Sequence, residues 1–207
     1  MTSSAPDVVA ATVAGHPVLV ADVDAREARL RATRLASALP RPGTSEGRQL
    51  RRWLTQLLVT DAVVAEEAAA LGVTADGAPS EQDLLPDMTA RMEIGSVAAS
   101  ALESPLARAL FVRVTADTSV CDADVADFHA RNPFRFARSA PGSDGWSDRV
   151  APAFDGARAA IADHLLAAAR RRTFRVWLDA RRADLVALSP GYEHPGDPRQ
   201  PDNIHKH

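Results

Sequence analysis

The sequence predicts a mainly α fold with a small β-hairpin, and three observations carry that expectation. Leu50, Trp53, Leu54, Leu57, Leu58, Val64, Ala68 and Leu71 recur at spacings of three and four through 44–72, which places them on one stripe of a long amphipathic helix. The same periodicity returns over 154–185 through Ile161, Leu165, Phe174 and Leu178, with Trp177 adding a large apolar surface. Against these stand only short β-branched runs near the two ends of the chain.

Taken in order, 8–13 and 17–20 are two such runs, separated by Ala14, Gly15 and His16. Gly15 can take a positive φ there and close a hairpin. Asp22 stands as an N-cap for a helix that runs through Leu30 and Leu35 to about Ala38, where Pro40 and Pro42 stop it. Thr44 or Ser45 caps the long helix, Gly72 sits where a left-handed C-terminal cap is expected, and Val73 can fold back onto the apolar stripe. This stripe is expected to pack against the helix over 154–185.

Ser80 with Asp83 reads as a capping box for a turn or two of helix, because Pro86 follows so soon. From Ile94 to Val114 the composition is helical, with Ser104 and Pro105 as N-cap and first residue of a second segment, so two short helices at an angle are expected. Asp122 caps one more helix, ended by Asn132 and Pro133. Residues 137–152, rich in Gly, Ser, Pro and Asp, form a loop, and 186–188 can form a short strand.

With 207 residues, 46% of them hydrophobic and 25% charged, the chain is long enough for a substantial core and is not of disordered composition. The net charge of -3 argues against a nucleic-acid partner, since there is no basic excess to displace counterions from a phosphate backbone. Arg170, Arg171 and Arg172 could form a local basic patch, but a solvated helix face is the plainer reading. Cys121 is the single cysteine, so an internal disulfide and a Cys-rich metal site are both excluded. No apolar run approaches the roughly 20 residues that span a bilayer, and the first residues lack a basic start with an apolar core. No membrane partner and a cytoplasmic location are therefore expected.

The tail over 190–207 holds the densest set of ligand-type residues: His194, Asp197, Asp202, His205 and His207, with Tyr192 and Glu193 alongside. Imidazole and carboxylate donors suit a divalent metal, zinc first among them. His205 and His207 share a face when the backbone is extended, and His194 or Asp202 would complete the set, with Asp197 supporting it. Prolines at 190, 195, 198 and 201 reduce the entropy lost on ordering. A docked tail without metal and a solvated tail remain the other two readings. His16, His129 and His164 read as surface or packing residues because no Gly-x-Ser-x-Gly or similar nucleophile pattern accompanies them. Cys121 precedes a helix N-terminus, which favours a thiolate, while a buried inert thiol is the more common state. No phosphate loop, dinucleotide fingerprint or His-Glu-x-x-His is present.

Four stretches in this order resemble the helical domain of the SurA/PpiC family of periplasmic folding chaperones. VAATVAGHPVLVADVDAREARL (9–30) is similar to that family's hairpin leading into a helix, and LRRWLTQLLVTDAVVAEEAAALGV (50–73) to its leucine-rich helix ending in Leu-Gly-Val. VCDADVADFHARNPFRF (120–136) is similar to its segment ending in Asn-Pro-x-x-Phe, and 154–188 to its returning C-terminal helix. The resemblance implies one helical domain over 1–189, with a terminal strand at 186–188 joining the strands around Val9 and Leu19 in a three-stranded sheet. In that family a parvulin prolyl isomerase domain of roughly a hundred residues commonly follows the Asn-Pro-x-x-Phe segment. Here the loop over 137–152 stands in its place, so isomerase activity is not expected.

Two functional readings follow. One is a chaperone-like or scaffold protein that holds a client polypeptide or partner protein in a helical cleft. The other is a metal-dependent enzyme or accessory protein of a biosynthetic pathway that binds a small-molecule substrate over the His/Asp tail.

Overall fold

The computed structural model describes residues 8–136 and 151–196, so the loop expected over 137–152 lies almost wholly outside the described residues. Eight α-helices and a three-stranded antiparallel sheet make up the described chain.

Strand β1 (Val9–Val13) pairs with β2 (His16–Leu19) from Val9↔Leu19 to Val13↔His16. The two linking residues, Ala14 and Gly15, both have positive φ, 49° and 83°. This matches the twist of the flanking strands, though Ala14 takes that conformation with a Cβ in place. Strand β3 (Val186–Leu188) lies on the other side of β1, pairing Ala11 with Leu188 and Val13 with Val186. The two ends of the described chain are thus tied together, but through β1 alone: β3 does not reach β2.

Helix α1 (Val20–Arg31) starts two residues before Asp22. Asp22 is therefore not the N-cap; its carboxylate accepts the Leu19 amide at 2.9 Å from inside the first turn. The helix also ends short of the expected Ala38. The Thr33 hydroxyl donates to the Leu30 carbonyl at 2.7 Å and accepts from the Leu35 amide at 3.2 Å, a local alternative to the helical ladder. Only a 3-10 turn, Ala36–Ala38, follows.

Helix α2 (Ser45–Ala70) begins at Thr44, whose hydroxyl accepts the Gly47 amide at 3.1 Å. Gly47 has to be glycine, since a Cβ there would lie 2.3 Å from the Arg41 carbonyl oxygen. At the other end Gly72 has φ 62°, Val73 N donates to Ala68 O at 2.8 Å and Gly72 N to Ala69 O at 3.2 Å, a Schellman closure. Val73 packs back onto the core as expected.

The buried surface of α2 is wider than one stripe. Val59 and Val63 are fully buried, as are Thr55 and Thr60, while Leu71 is 43% exposed. Thr55 and Thr60 donate their hydroxyls to the carbonyls of Arg51 and Gln56 in the preceding turn, which makes their burial tolerable. The reason for the wider surface is coverage from several sides: α1, β1, α5 (Ser96–Ala101) and α6 (Pro105–Val114) all pack on α2. Helix α8 (Phe154–Leu185) meets it over a smaller area, through Glu67–Arg181 and Gln56–Arg182.

Between α2 and α5 run α3 (Glu81–Leu84), with the expected Ser80–Asp83 capping box, and α4 (Met88–Ile94). Helix α4 lies before the expected helical stretch. Asp87 caps it by accepting the Ala90 amide at 2.8 Å, and Gly95, at φ 88°, turns the chain into α5. Phe174, Leu110, Leu102, Ile94, Val59 and Val63 meet in the main core; Ala10, Val23, Leu54 and Leu57 form a second cluster. A third, Val125, Ala157 and Ile161, joins α7 (Asp122–Arg131) to the first half of α8. Among the described residues no helix is long and apolar enough to cross a membrane.

Candidate functional site

A partly apolar groove of about 470 Å³ has walls from three elements. Arg26, Arg29 and Leu30 of α1, with Thr33 beyond it, form one side; Trp53, Leu54 and Leu57 of α2 form the floor; Ser100 and Glu103, at and after the end of α5, form the other. Leu54 and Leu57 are anchored in the second core cluster, whereas Leu30 and Trp53 are half-buried and present apolar surface to the opening.

An ion network ties α1 to α2 beside the groove. Arg51 pairs with Asp24 at 2.6 Å and with Glu27 at 2.8 Å, and Glu27, almost buried, also receives Arg31 at 2.8 Å. Burial works against the Arg51 charge, but hydrogen bonds to Asp24, Tyr192 and Glu27 outweigh it and raise its pKa above the ordinary arginine value. At the rim, Arg26 meets Asp61 at 3.4 Å. Arg29 has no carboxylate partner among the described residues.

The start of the tail is docked on α2. Ser189 donates its amide to Ala10 O at 2.9 Å and its hydroxyl to Val9 O at 2.7 Å. Arg52 Nε donates to Gly191 O at 3.2 Å, and Gln56 Nε2 to Tyr192 O at 3.4 Å. The Tyr192 ring packs on the second cluster, and Glu193 turns back to accept the Gly191 amide at 2.9 Å. His194 lies on the wall of a separate recess beside Arg175, Asp179 and Arg182. The other expected metal ligands, Asp202, His205 and His207, lie outside the described residues, as does Asp197. Among the described residues no group of three His, Cys, Asp or Glu side chains is placed to hold a metal ion.

His16 is exposed at the start of β2. His129 has Nε2 3.0 Å from Pro152 O and its ring edge-on to Phe154, while His164 sits 5.5 Å from the Phe128 ring and 6.0 Å from Phe136. Both serve the α7–α8 packing. Cys121 is exposed rather than buried, its thiol donating to Asp124 Oδ2 at 3.0 Å. Arg171 departs from the solvated-face reading of its Arg run: it is 5% exposed and bonded to Glu93.

The groove could not be found from any single stretch, because its walls are separated by up to dozens of positions. The available signal was Trp53 itself, a large side chain on the margin of the α2 stripe.

A family of unknown function, DUF7158, matches residues 9–46, which span β1, β2, α1 and the first two residues of α2. No curated protein and no solved structure matches the chain.

Proposed function

We propose that this is a chaperone-like or scaffold protein that holds an apolar polypeptide segment in the groove between α1, α2 and α5, without prolyl isomerase activity. The observation that carries the reading is the groove itself, in which half-buried Leu30 and Trp53 line an opening of about 470 Å³ above a fixed floor. An aromatic ring and aliphatic side chains held by packed helices suit the anchor residues of an extended or helical segment. The rim bears on the neighbours of those anchors: Arg29, with no carboxylate partner among the described residues, favours a segment that carries an acidic residue next to its apolar ones.

The test is light scattering from an unfolded model client with and without the purified protein, in the absence of nucleotide and metal. Delayed aggregation at stoichiometric amounts supports the proposal; no delay and no client in the soluble complex contradict it. The reading as a metal-dependent enzyme or accessory protein draws every ligand but His194 from outside the described residues. Elemental analysis of the untagged protein decides that reading independently.

A further inference from the structure

A second recess, of about 210 Å³, lies between the turn that joins α4 to α5 and the last turns of α8, with Gly95, Ser96, Arg175, Asp179, Arg182 and His194 in its lining. Arg175 and Arg182 are seven residues apart, which puts them two turns apart on one face of the helix. Neither forms an ion pair among the described residues. Among the described residues Arg175 donates only to the Glu93 backbone carbonyl at 3.2 Å, and Arg182 only to the Gln56 side-chain oxygen. Burial of Arg182 disfavours its charge, and Asp179, one turn away, offsets this only in part. Two guanidiniums without a carboxylate partner, Arg175 exposed and Arg182 half-buried, stand at one recess and can form an anion site, and their planar forks match a carboxylate.

The remaining groups narrow the ligand. Two arginines against one aspartate give the lining an excess of positive charge, which suits an anion. Asp179 adds an acceptor that a bare carboxylate would leave unused. His194 Nδ1 accepts the Gly196 amide at 3.0 Å, so in the neutral ring Nε2 carries the proton and is a donor. We infer that this recess binds a small carboxylic acid bearing an N–H or O–H next to its carboxylate, as in a hydroxy acid or an N-acylamino acid. The carboxylate meets Arg175 and Arg182, and the neighbouring donor meets Asp179.

The test is calorimetric titration of the full chain with N-acetylglycine, acetate and inorganic phosphate. Saturable binding of N-acetylglycine, tighter than that of acetate or phosphate, is expected. Arg175→Gln removes one guanidinium whose only hydrogen bond among the described residues is to a backbone carbonyl, so the fold should persist by circular dichroism while affinity falls about tenfold or more. Asp179→Ala, which leaves no side-chain acceptor, should erase the preference for N-acetylglycine over acetate. Absence of saturable binding, binding unchanged in Arg175→Gln, or tighter binding of phosphate would each overturn the assignment.

Discussion

Arg171 of α8 holds Glu93 of α4 through Nε and Nη2, both 2.8 Å from the same carboxylate oxygen, and the two ends of the pair are buried to different extents. The Arg171 side chain is 6% exposed and that of Glu93 40%. Loss of the carboxylate therefore strands a buried guanidinium with only a 3.4 Å contact to the Leu84 carbonyl, whereas loss of the guanidinium leaves a carboxylate that water can reach. Glu93→Ala should cost about 1.5–3 kcal/mol, and Arg171→Met, which keeps most of the volume, distinctly less. Urea denaturation of both variants checks the order; an equal or reversed order contradicts it.

Leu57 is 4% exposed beside Ala10, Val23 and Leu54, so Leu57→Ala should cost about 2–5 kcal/mol. Leu71, on the same apparent stripe but 43% exposed, should lose little as alanine. Equal effects at both sites would mean that the assigned buried face of α2 is wrong.

The contrast between these two leucines marks what could be read in advance. Punctuation was legible in part: Thr44 and Gly72 bracket α2, Ser80 and Asp83 close their box, and α8 runs over the expected 154–185, whereas Asp22 and Asp122, expected as N-caps, stand inside the first turns of α1 and α7. Burial was legible only where one neighbour decided it. Thr55, Gln56 and Thr60 are buried since α2 is covered from several sides, a fact set by elements distant in sequence. Helix α4 escaped notice because Asp87, its cap, follows a proline and reads as turn. The groove and the recess draw on three separate segments each, so no local pattern announced them.

Two carboxylates should respond to pH in opposite senses. Burial raises the Asp61 pKa above its ordinary value, with Arg26 acting against the shift. A carboxylate raised on folding binds its proton more readily in the native state. Its ionised form therefore opposes folding above the folded pKa, and that penalty fades as pH falls through it. Hydrogen bonds from the Ser80 side chain and then its amide lower the Asp83 pKa, so its contribution is present above the ordinary value and lost as pH falls through the lowered one. Asp61→Asn should be more stable than the parent at neutral pH, and the difference should vanish below about pH 3. Asp83→Asn should be less stable at neutral pH and converge with the parent in acid. Thermal melts across that range check both signs.

Tyr192 covers Leu54 and Leu57 from outside and is half-buried in doing so. Tyr192→Ala should cost about 1–2 kcal/mol, below the figure for a fully buried aromatic. Faster amide exchange in β1 and in the first half of α2 should accompany it. Unchanged melting would mean that the residues from Ser189 to His194 add nothing to the fold.

The central claim is that the groove lined by Leu30 and Trp53 is where a polypeptide binds. Fluorescence anisotropy of a labelled peptide with leucine anchors flanking an acidic residue, titrated with the parent protein, Trp53→Ala and Arg29→Glu, tests it most directly. Saturable binding is predicted, weakened by about tenfold or more in Trp53→Ala and again in Arg29→Glu, with both variants still folded. Binding that is equal in all three proteins, or absent from the parent, would contradict it.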